Sequence, residues 1–394
     1  MGAGWLNFRP ELGRVKQAGL FRERLALTSA QAPRIRVQST ELTNFCSNDY
    51  LSLANDPRLV SSLQRSAAEY GIGSGASPLV CGRSLAHEEL EKSLAELTGR
   101  DKALLFSSGY LANLAIVSTF AQSRHTSIFE DKLNHASMLD GALLSRGKLQ
   151  RYPHADSAAL ERLLQESTQK KKLVLTDSVF SMDGDMAPLR AIASLASKYE
   201  ALLAVDDAHG FGVYGAGGAG SLTELGLDQE SVPLMMATLG KAAGCSGAFV
   251  AGRADLVEFL VQKARPYIYS TAMPSALAAT ALESLKLLSD EGPRRRLQEL
   301  IAYFREQAGL KGIPLLASSS PIQPLVIGDP QQAVDLSQGL REQGFLVMAI
   351  RPPTVPQGTS RLRITLCAGH SKKDIDALLN SLSELLSARD KRRQ

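Results

Sequence analysis

Cysteine is scarce. The chain of 394 residues has four, Cys46, Cys81, Cys245 and Cys367, and no two of them form a CxxC pair. This spacing fits neither a disulfide framework nor a structural zinc site, so a reducing, cytoplasmic setting is expected. There is a single tryptophan, and aromatics make up 6% of the residues. No stretch interleaves aromatic with basic side chains, so no nucleic-acid partner is expected. No apolar run is long enough to span a bilayer, which leaves no membrane partner either. Neither sign of charge dominates: the formal net charge is +4. Basic residues cluster only at Arg294-Arg295-Arg296 and in the tail Arg389-Asp390-Lys391-Arg392-Arg393, which read as a solvated helix start and a frayed terminus. The opening Met1-Gly2-Ala3-Gly4-Trp5-Leu6 lacks the charged-then-apolar pattern of a signal peptide. Leu6 also stands where an N-myristoylation pattern needs Ser or Thr.

What is present is the composition of a globular protein, 44% hydrophobic and 21% charged. Residues 1–30 mix leucines with arginines and read as an amphipathic helix, followed by a short strand at Leu42–Cys46. The segment Gly71–Ser77 is too rich in glycine for a helix interior. From residue 102, apolar β-like runs alternate with helical spacing. The runs are 103–106, 127–129, 173–175, 201–205, 234–238 and 248–251. Helical spacing falls at 84–98, 111–120, 157–164, 189–199 and 253–263. The alternation predicts an α/β fold whose central sheet is mostly parallel, with helices on both faces. After about residue 285 the pattern becomes helix 293–308, strand 322–327, helix 331–343, strand 345–350, strand 360–366 and helix 371–388. This predicts three parts: an N-terminal helix and short strand (1–45), a large α/β domain (46–285) and a small C-terminal α+β domain (286–394).

Ligands of such sheets bind beyond the carboxyl ends of the strands. Lys241 lies there, in Ala237-Thr238-Leu239-Gly240-Lys241-Ala242-Ala243-Gly244, among small residues that leave space for a bulky group against the backbone. A lysine in such a place can form a Schiff base with a carbonyl. Run 201–205 leads into Asp206-Asp207-Ala208-His209. Run 127–129 leads toward Asn134-His135, and run 173–175 toward Asp177 and Ser181-Met182-Asp183-Gly184-Asp185. Ser108-Gly109-Tyr110 opens a helix, whose free N–H groups suit a phosphate, and Thr238 adds a hydroxyl. Singly, each histidine reads more readily as a structural residue; together at consecutive strand ends they point to one site. A competing reading is a dinucleotide-binding reductase, since Gly210-Phe211-Gly212-Val213-Tyr214-Gly215 matches GxGxxG. That fingerprint needs a helix to start there and an acid about twenty residues later. Here glycines continue to Gly220, and the acidic pair comes before the motif.

Taken together, these motifs resemble those of the α-oxoamine synthases, pyridoxal-phosphate enzymes of fold type I, the aspartate-aminotransferase fold. The carriers are Ser47-Asn48-Asp49-Tyr50-Leu51, Gly71–Gly75, Ser108-Gly109-Tyr110, Asn134-His135-Ala136-Ser137, Val179–Asp185, Asp206–Gly210, Gly240-Lys241, Tyr269-Ser270-Thr271 and Arg351–Pro356. The resemblance implies that Lys241 would hold pyridoxal 5'-phosphate and later act as base. Asp206 would pair with the ring nitrogen, and His209 and Ser181 would bond the ring hydroxyl. His135 would stack on the ring and so also meet the substrate. Gly109, Tyr110 and Thr238 would hold cofactor groups, chiefly the phosphate. Ser270 and Thr271 would reach the phosphate of a partner subunit, which implies a homodimer with shared active sites. Arg363 would bind the substrate carboxylate with Asn48 nearby, and Arg22 and Thr354 would meet the acyl substrate. Arg361 and Arg363 share a strand face, so spacing alone does not separate them.

The implied reaction is the decarboxylative condensation of L-alanine with a pimeloyl thioester of coenzyme A or acyl carrier protein, in biotin biosynthesis. The alternative within the family is acyl transfer to another amino acid, such as acetyl transfer to glycine. The chain departs from the family pattern at Ala242-Ala243, where glycine is common, and at Asp177, where glutamate is usual.

Overall fold

The computed structural model describes residues 7–391. Met1–Leu6, on which the leader and acylation readings rest, and the tail residues Arg392 and Arg393 lie outside that range. The elements begin with α1 (Arg9–Gln17), β1 (Arg34–Val37), β2 (Thr40–Asn44), α2 (Pro57–Tyr70) and α3 (Leu85–Thr98). Next come β3 (Lys102–Phe106), α4 (Gly109–Phe120), β4 (Thr126–Asp131), α5 (Ala136–Leu144), β5 (Lys148–Tyr152) and α6 (Ser157–Glu166). They are followed by β6 (Lys171–Asp177), α7 (Leu189–Lys198), β7 (Leu202–Asp206), α8 (Ser221–Glu224), β8 (Leu234–Thr238) and β9 (Ala248–Gly252). Helices α9 (Ala254–Lys263), α10 (Arg265–Ile268), α11 (Ser275–Leu288) and α12 (Glu291–Leu310) lead to β10 (Ile322–Gly328) and α13 (Pro330–Glu342). The last elements are β11 (Phe345–Leu346), β12 (Met348–Ile350), β13 (Ser360–Thr365) and α14 (Lys372–Lys391). The chain forms two compact units. One comprises Asp49–Ser181 and Asp185–Arg296; among the described residues the other takes in 7–48, Met182–Gly184 and 297–391.

The first unit is built on a seven-stranded sheet in the order β3-β9-β8-β7-β6-β4-β5. Only β9 runs against its neighbours, so the sheet is mostly parallel, as the alternation of runs predicts. Strands β4 and β9 are buried at every position. Successive side chains point to opposite faces, so total burial means that both faces are covered. Ile128, Leu173, Val250 and the helix residues Ile116 and Val117 share one core cluster. Each such side chain contributes about 1.5–3 kcal/mol by leaving water. Strand β5 was not anticipated. It is a sheet-edge strand, Lys-Leu-Gln-Arg-Tyr, with a single neighbour and little apolar patterning.

The glycine motif after β7 opens no helix, which removes the dinucleotide reading. Residues 210–220 are turns and one short 3₁₀ segment, Ala216–Gly218. Gly220 sits at φ 107°, and a Cβ there would lie 2.0 Å from Asp207 Oδ2. The glycines thus let the backbone close around a buried carboxylate.

In the second unit β1 pairs antiparallel with β2, and β11 adds to β2 in parallel. A separate antiparallel sheet has the order β10-β13-β12. The single strand expected over 345–350 is therefore two. The chain leaves one sheet for the other at fully buried Val347. The long N-terminal helix also proves shorter. Helix α1 ends at Gln17, Gly19 follows at φ 66°, and Leu25 and Leu27 are exposed outside it. A left-handed glycine stops a helix, and without tertiary burial an amphipathic pattern does not extend one.

Candidate active site

Strands β3, β4, β6, β7 and β8 all end on one rim of the sheet, and the residues that follow them line a cavity of about 160 Å³. Gly109, Tyr110, His135, Ser181, Asp206, His209, Thr238 and Lys241 all border it, with Asn113 and Asp177. The structure thus gathers most of the expected cofactor residues around one space.

Lys241 stands in the loop between antiparallel β8 and β9. The loop is closed by Leu239 N donating to Gly247 O (3.0 Å) and Gly244 N donating to Lys241 O (2.8 Å). Its small residues act differently from the sequence expectation. Ala242 and Ala243 are buried, and a Cβ on Gly244 would come within 2.5 Å of the Leu53 backbone. Smallness lets the loop dock onto the protein, and the open space lies on the lysine side. Lys241 Nζ is 2.8 Å from His209 Nε2, and His209 Nδ1 is 2.6 Å from Tyr50 Oη. An ammonium only donates. With Lys241 charged, Nε2 accepts, and the Nδ1 proton goes to the tyrosine oxygen.

Asp206 ends β7 and is 6% exposed. Its Oδ1 accepts from Ala208 N at 2.9 Å and its Oδ2 from Asn113 Nδ2 at 2.7 Å. Asn113 also donates to Ser137 Oγ at 2.9 Å, and Ser137 Oγ lies 2.7 Å from His135 Nδ1. The same chain of contacts therefore orients both the carboxylate and the imidazole. Burial pushes the His135 pKa down, helped by the charge of Lys241 and opposed by Asp206, so the ring is neutral at pH 7. His135 N donates to Asp177 Oδ2 at 2.8 Å. Burial, and then the Asp206 charge beside it in register, push the Asp177 carboxyl well above the usual range.

Helix α4 begins at this rim, with Ser108 as N-cap accepting from Leu111 N at 3.3 Å. Its first N–H groups, at Gly109 and Tyr110, have no partner within the helix, and both residues border the cavity. Thr238 Oγ1 donates to Gly247 O (3.0 Å) and accepts from Gly240 N (3.1 Å), so it also builds the lysine loop.

Other expected residues lie elsewhere. Ser270 and Thr271 are outside this cavity, beside Ser107, whose Oγ donates to Thr271 O at 3.2 Å. In the second unit Arg363 Nη2 donates to Asn48 Oδ1 at 3.0 Å, while Arg361 Nη1 pairs with Asp183 Oδ1 at 2.6 Å. This separates two arginines that spacing could not. Arg22 is exposed in the irregular segment after α1; Thr354 is exposed in a turn closed by its N–H to Arg351 O at 3.1 Å. Arg351 ties these two segments together by donating to Gly19 O and Phe21 O.

Two contributors had no role assigned from sequence. Asn113 was signalled as a polar residue inside the otherwise apolar Leu111–Val117 stretch of α4. Tyr50 belongs to the Ser47–Leu51 motif, but nothing local points it at His209.

Residues 40–382 match the model of the class I and II aminotransferases. The 8-amino-7-oxononanoate synthase of Hahella chejuensis is 52% identical over 98% of this chain and 97% of its own length. The enzyme of that name from Pseudomonas putida is 52% identical over 94% of each. Among solved structures, a serine palmitoyltransferase of Sphingomonas wittichii superposes with a TM-score of 0.92 at 28% identity, over 98% of this chain and 99% of that one. An 8-amino-7-oxononanoate synthase of Francisella tularensis superposes with a TM-score of 0.77 at 32% identity, over 88% and 98%.

Proposed function

The chain belongs to the class I and II aminotransferase family, of pyridoxal-phosphate fold type I, and within it to the α-oxoamine synthases; from that premise we propose its reaction and the roles of its residues. The reaction is that of the 8-amino-7-oxononanoate synthases. L-alanine and a pimeloyl thioester condense with loss of carbon dioxide, giving 8-amino-7-oxononanoate and the free thiol carrier, a step of biotin biosynthesis. The observation that carries the reading is Lys241 beside His209, across a cavity lined by buried Asp206 and neutral His135.

Those residues fit pyridoxal 5'-phosphate. The amine of Lys241 suits its carbonyl, the buried Asp206 carboxylate its ring nitrogen, the start of α4 its phosphate, and the His135 imidazole its ring face. Ser181 and His209 suit the ring hydroxyl. The bound cofactor supplies an electron-withdrawing ring that stabilises negative charge on the amino-acid Cα. Lys241 holds the cofactor and takes the Cα proton. Asp206 presents its carboxylate where the ring nitrogen is placed, oriented by the Asn113 and Ala208 N–H groups that bond its two oxygens. Burial excludes water, so this charge acts at low dielectric. Arg363 takes the substrate carboxylate through its planar fork, with Asn48 beside it. Arg22 and Thr354 meet the acyl chain. Ser270 and Thr271 serve the phosphate of a second subunit, so the active enzyme is a homodimer. The site and its cytoplasmic setting need no membrane, and no helix among the described residues is long and apolar enough to cross one.

The serine palmitoyltransferase superposes more closely than the Francisella tularensis enzyme, with a TM-score of 0.92 against 0.77, but its identity is 28%, against 52% for the Hahella chejuensis 8-amino-7-oxononanoate synthase. A panel of amino acids and acyl thioesters tests the choice. Highest kcat/KM with L-alanine and a pimeloyl thioester is expected, and turnover restricted to glycine with acetyl-CoA would refute it.

A further inference from the structure

His154, which none of the assignments above uses, is clamped between two carboxylates. Its Nδ1 lies 3.1 Å from Asp131 Oδ1, and its Nε2 lies 2.8 Å from Asp185 Oδ2. Carboxylates only accept, and a neutral imidazole has a single N–H, so both ring nitrogens carry protons and the ring is an imidazolium. Burial opposes that charge, but the bonds to Asp131 and Asp185 outweigh it and raise the pKa to about 10. The ring also meets Phe180 edge-on, with centroids 4.3 Å apart at 89°.

Each carboxylate organises a different part of the rim. Asp131 ends β4, and it also accepts from Leu133 N at 2.8 Å and Ala155 N at 2.7 Å. It thereby sets the turn that delivers His135. Asp185 belongs to a hairpin-like loop: Phe180 N donates to Asp185 O, Ala187 N donates to Ser178 O (both 3.0 Å), and Val179 bridges Met186. That loop carries Ser181. Asp185 Oδ1 is buried with no partner among the described residues, so His154 supplies the carboxylate's compensation. Removing the cation leaves a partly buried anion unpaired, the costly half of a broken ion pair.

We propose that His154 is a positioning residue whose imidazolium locks the turn bearing His135 to the loop bearing Ser181, and so fixes both side chains where the cofactor binds. This rests on the proposed function. The test uses His154→Gln, which keeps one donor and removes the charge, with Asp185→Asn and the double variant. Pyridoxal phosphate binding to each apoenzyme is measured by titration, together with the absorption spectrum of the bound cofactor between pH 6 and 10. Each single variant is expected to weaken cofactor binding about tenfold and to shift the spectral titration, as loss of one coupled network does. The double variant is expected to be no worse than the poorer single one, because the three residues act as a unit. At saturating cofactor, the KM for L-alanine is expected to stay within about twofold of wild type. Variants that bind pyridoxal phosphate like wild type and lose only thermal stability overturn the positioning role. If His154→Gln does not fold, Asp185→Asn decides on the same readouts. Failure of the wild-type chain itself to bind pyridoxal phosphate overturns the proposed function and the positioning role with it; normal binding by wild type and variants alike overturns only the latter.

Discussion

Asp206, the last residue of β7, and Asp207, the next, are both buried, yet their side chains take opposite directions. Asp206 borders the cavity and is held by Asn113 and the Ala208 N–H. Asp207 is fully buried away from it, accepting from Ser178 Oγ at 2.5 Å and Ser221 N at 2.8 Å, with Gly210 and Gly220 pressed against its carboxyl. Alternation of side chains explains the divergence. One carboxylate is left with a face toward ligand; the other has its oxygens committed to holding the 207–221 turn. The pair separates chemistry from scaffolding within a single peptide bond, and substitutions at the two positions should fail in different ways.

The largest effect sets the scale for the cavity side. Lys241→Ala should abolish the visible absorbance of bound cofactor and lower kcat/KM by at least about a thousandfold, since it removes both the covalent anchor and the base. Steady-state rates and an absorption scan check it. Retention of the visible band would mean that the lysine is not the anchor.

The contrast itself is broken or kept by an alanine at each aspartate. Asp206→Ala should lower kcat at least about a hundredfold through loss of the charge facing the cofactor. Asp207→Ala should instead unpair the Ser178 hydroxyl and the Ser221 N–H. That costs about 1–3 kcal/mol per group and lowers Tm by several degrees, while kcat of the folded fraction changes by no more than about threefold. Calorimetry and activity measured side by side would reverse the assignment if the two variants exchanged behaviours.

A smaller contrast separates the arginines of β13. Arg363→Lys keeps the charge but loses the planar fork, and should raise the KM for L-alanine about tenfold. Arg361→Lys should disturb the bond to Asp183 and appear mainly as a lower Tm. Equal KM values in the two variants would mean that neither arginine is specific to substrate.

How much of this was legible beforehand follows the same division. Asp206, His209, His135 and Lys241 each come within a few residues of the end of an apolar run, so a local pattern together with the rule for parallel sheets placed them on one rim. The partners that hold them were mostly not legible. Tyr50 reaches His209 across 159 positions, and β11 pairs with β2 across about 300, where no local periodicity operates. The overlong N-terminal helix erred because amphipathic spacing says nothing about whether a surface exists to bury it. The strand over 345–350 was misread as continuous because a change of sheet at Val347 leaves the apolar pattern unbroken. Nothing in the sequence tells the neighbouring Asp207 apart as scaffolding; the glycines packed around it in the fold show its carboxyl enclosed.

The finest test uses protons. Burial raises the Asp207 carboxyl to about 6, against the hydrogen bonds from Ser178 and Ser221. An unfolded aspartate titrates near 3.9. The folded chain therefore holds this proton more tightly, and between about pH 4 and pH 6 the contribution of Asp207 to stability falls as pH rises. Asp49, also raised to about 6 by burial, adds a contribution of the same sign. Asp207→Asn keeps the shape and deletes one of the two. The stability difference, wild type minus Asp207→Asn, should be flat above about pH 6, move in favour of wild type as pH falls through the window, and level off below about pH 4. Subtracting the variant cancels every other titrating group, so denaturant melts at four or five pH values suffice. A difference that stays constant across the window would mean that Asp207 folds with its ordinary affinity for protons, and that the enclosure separating it from Asp206 is looser than its hydrogen bonds imply.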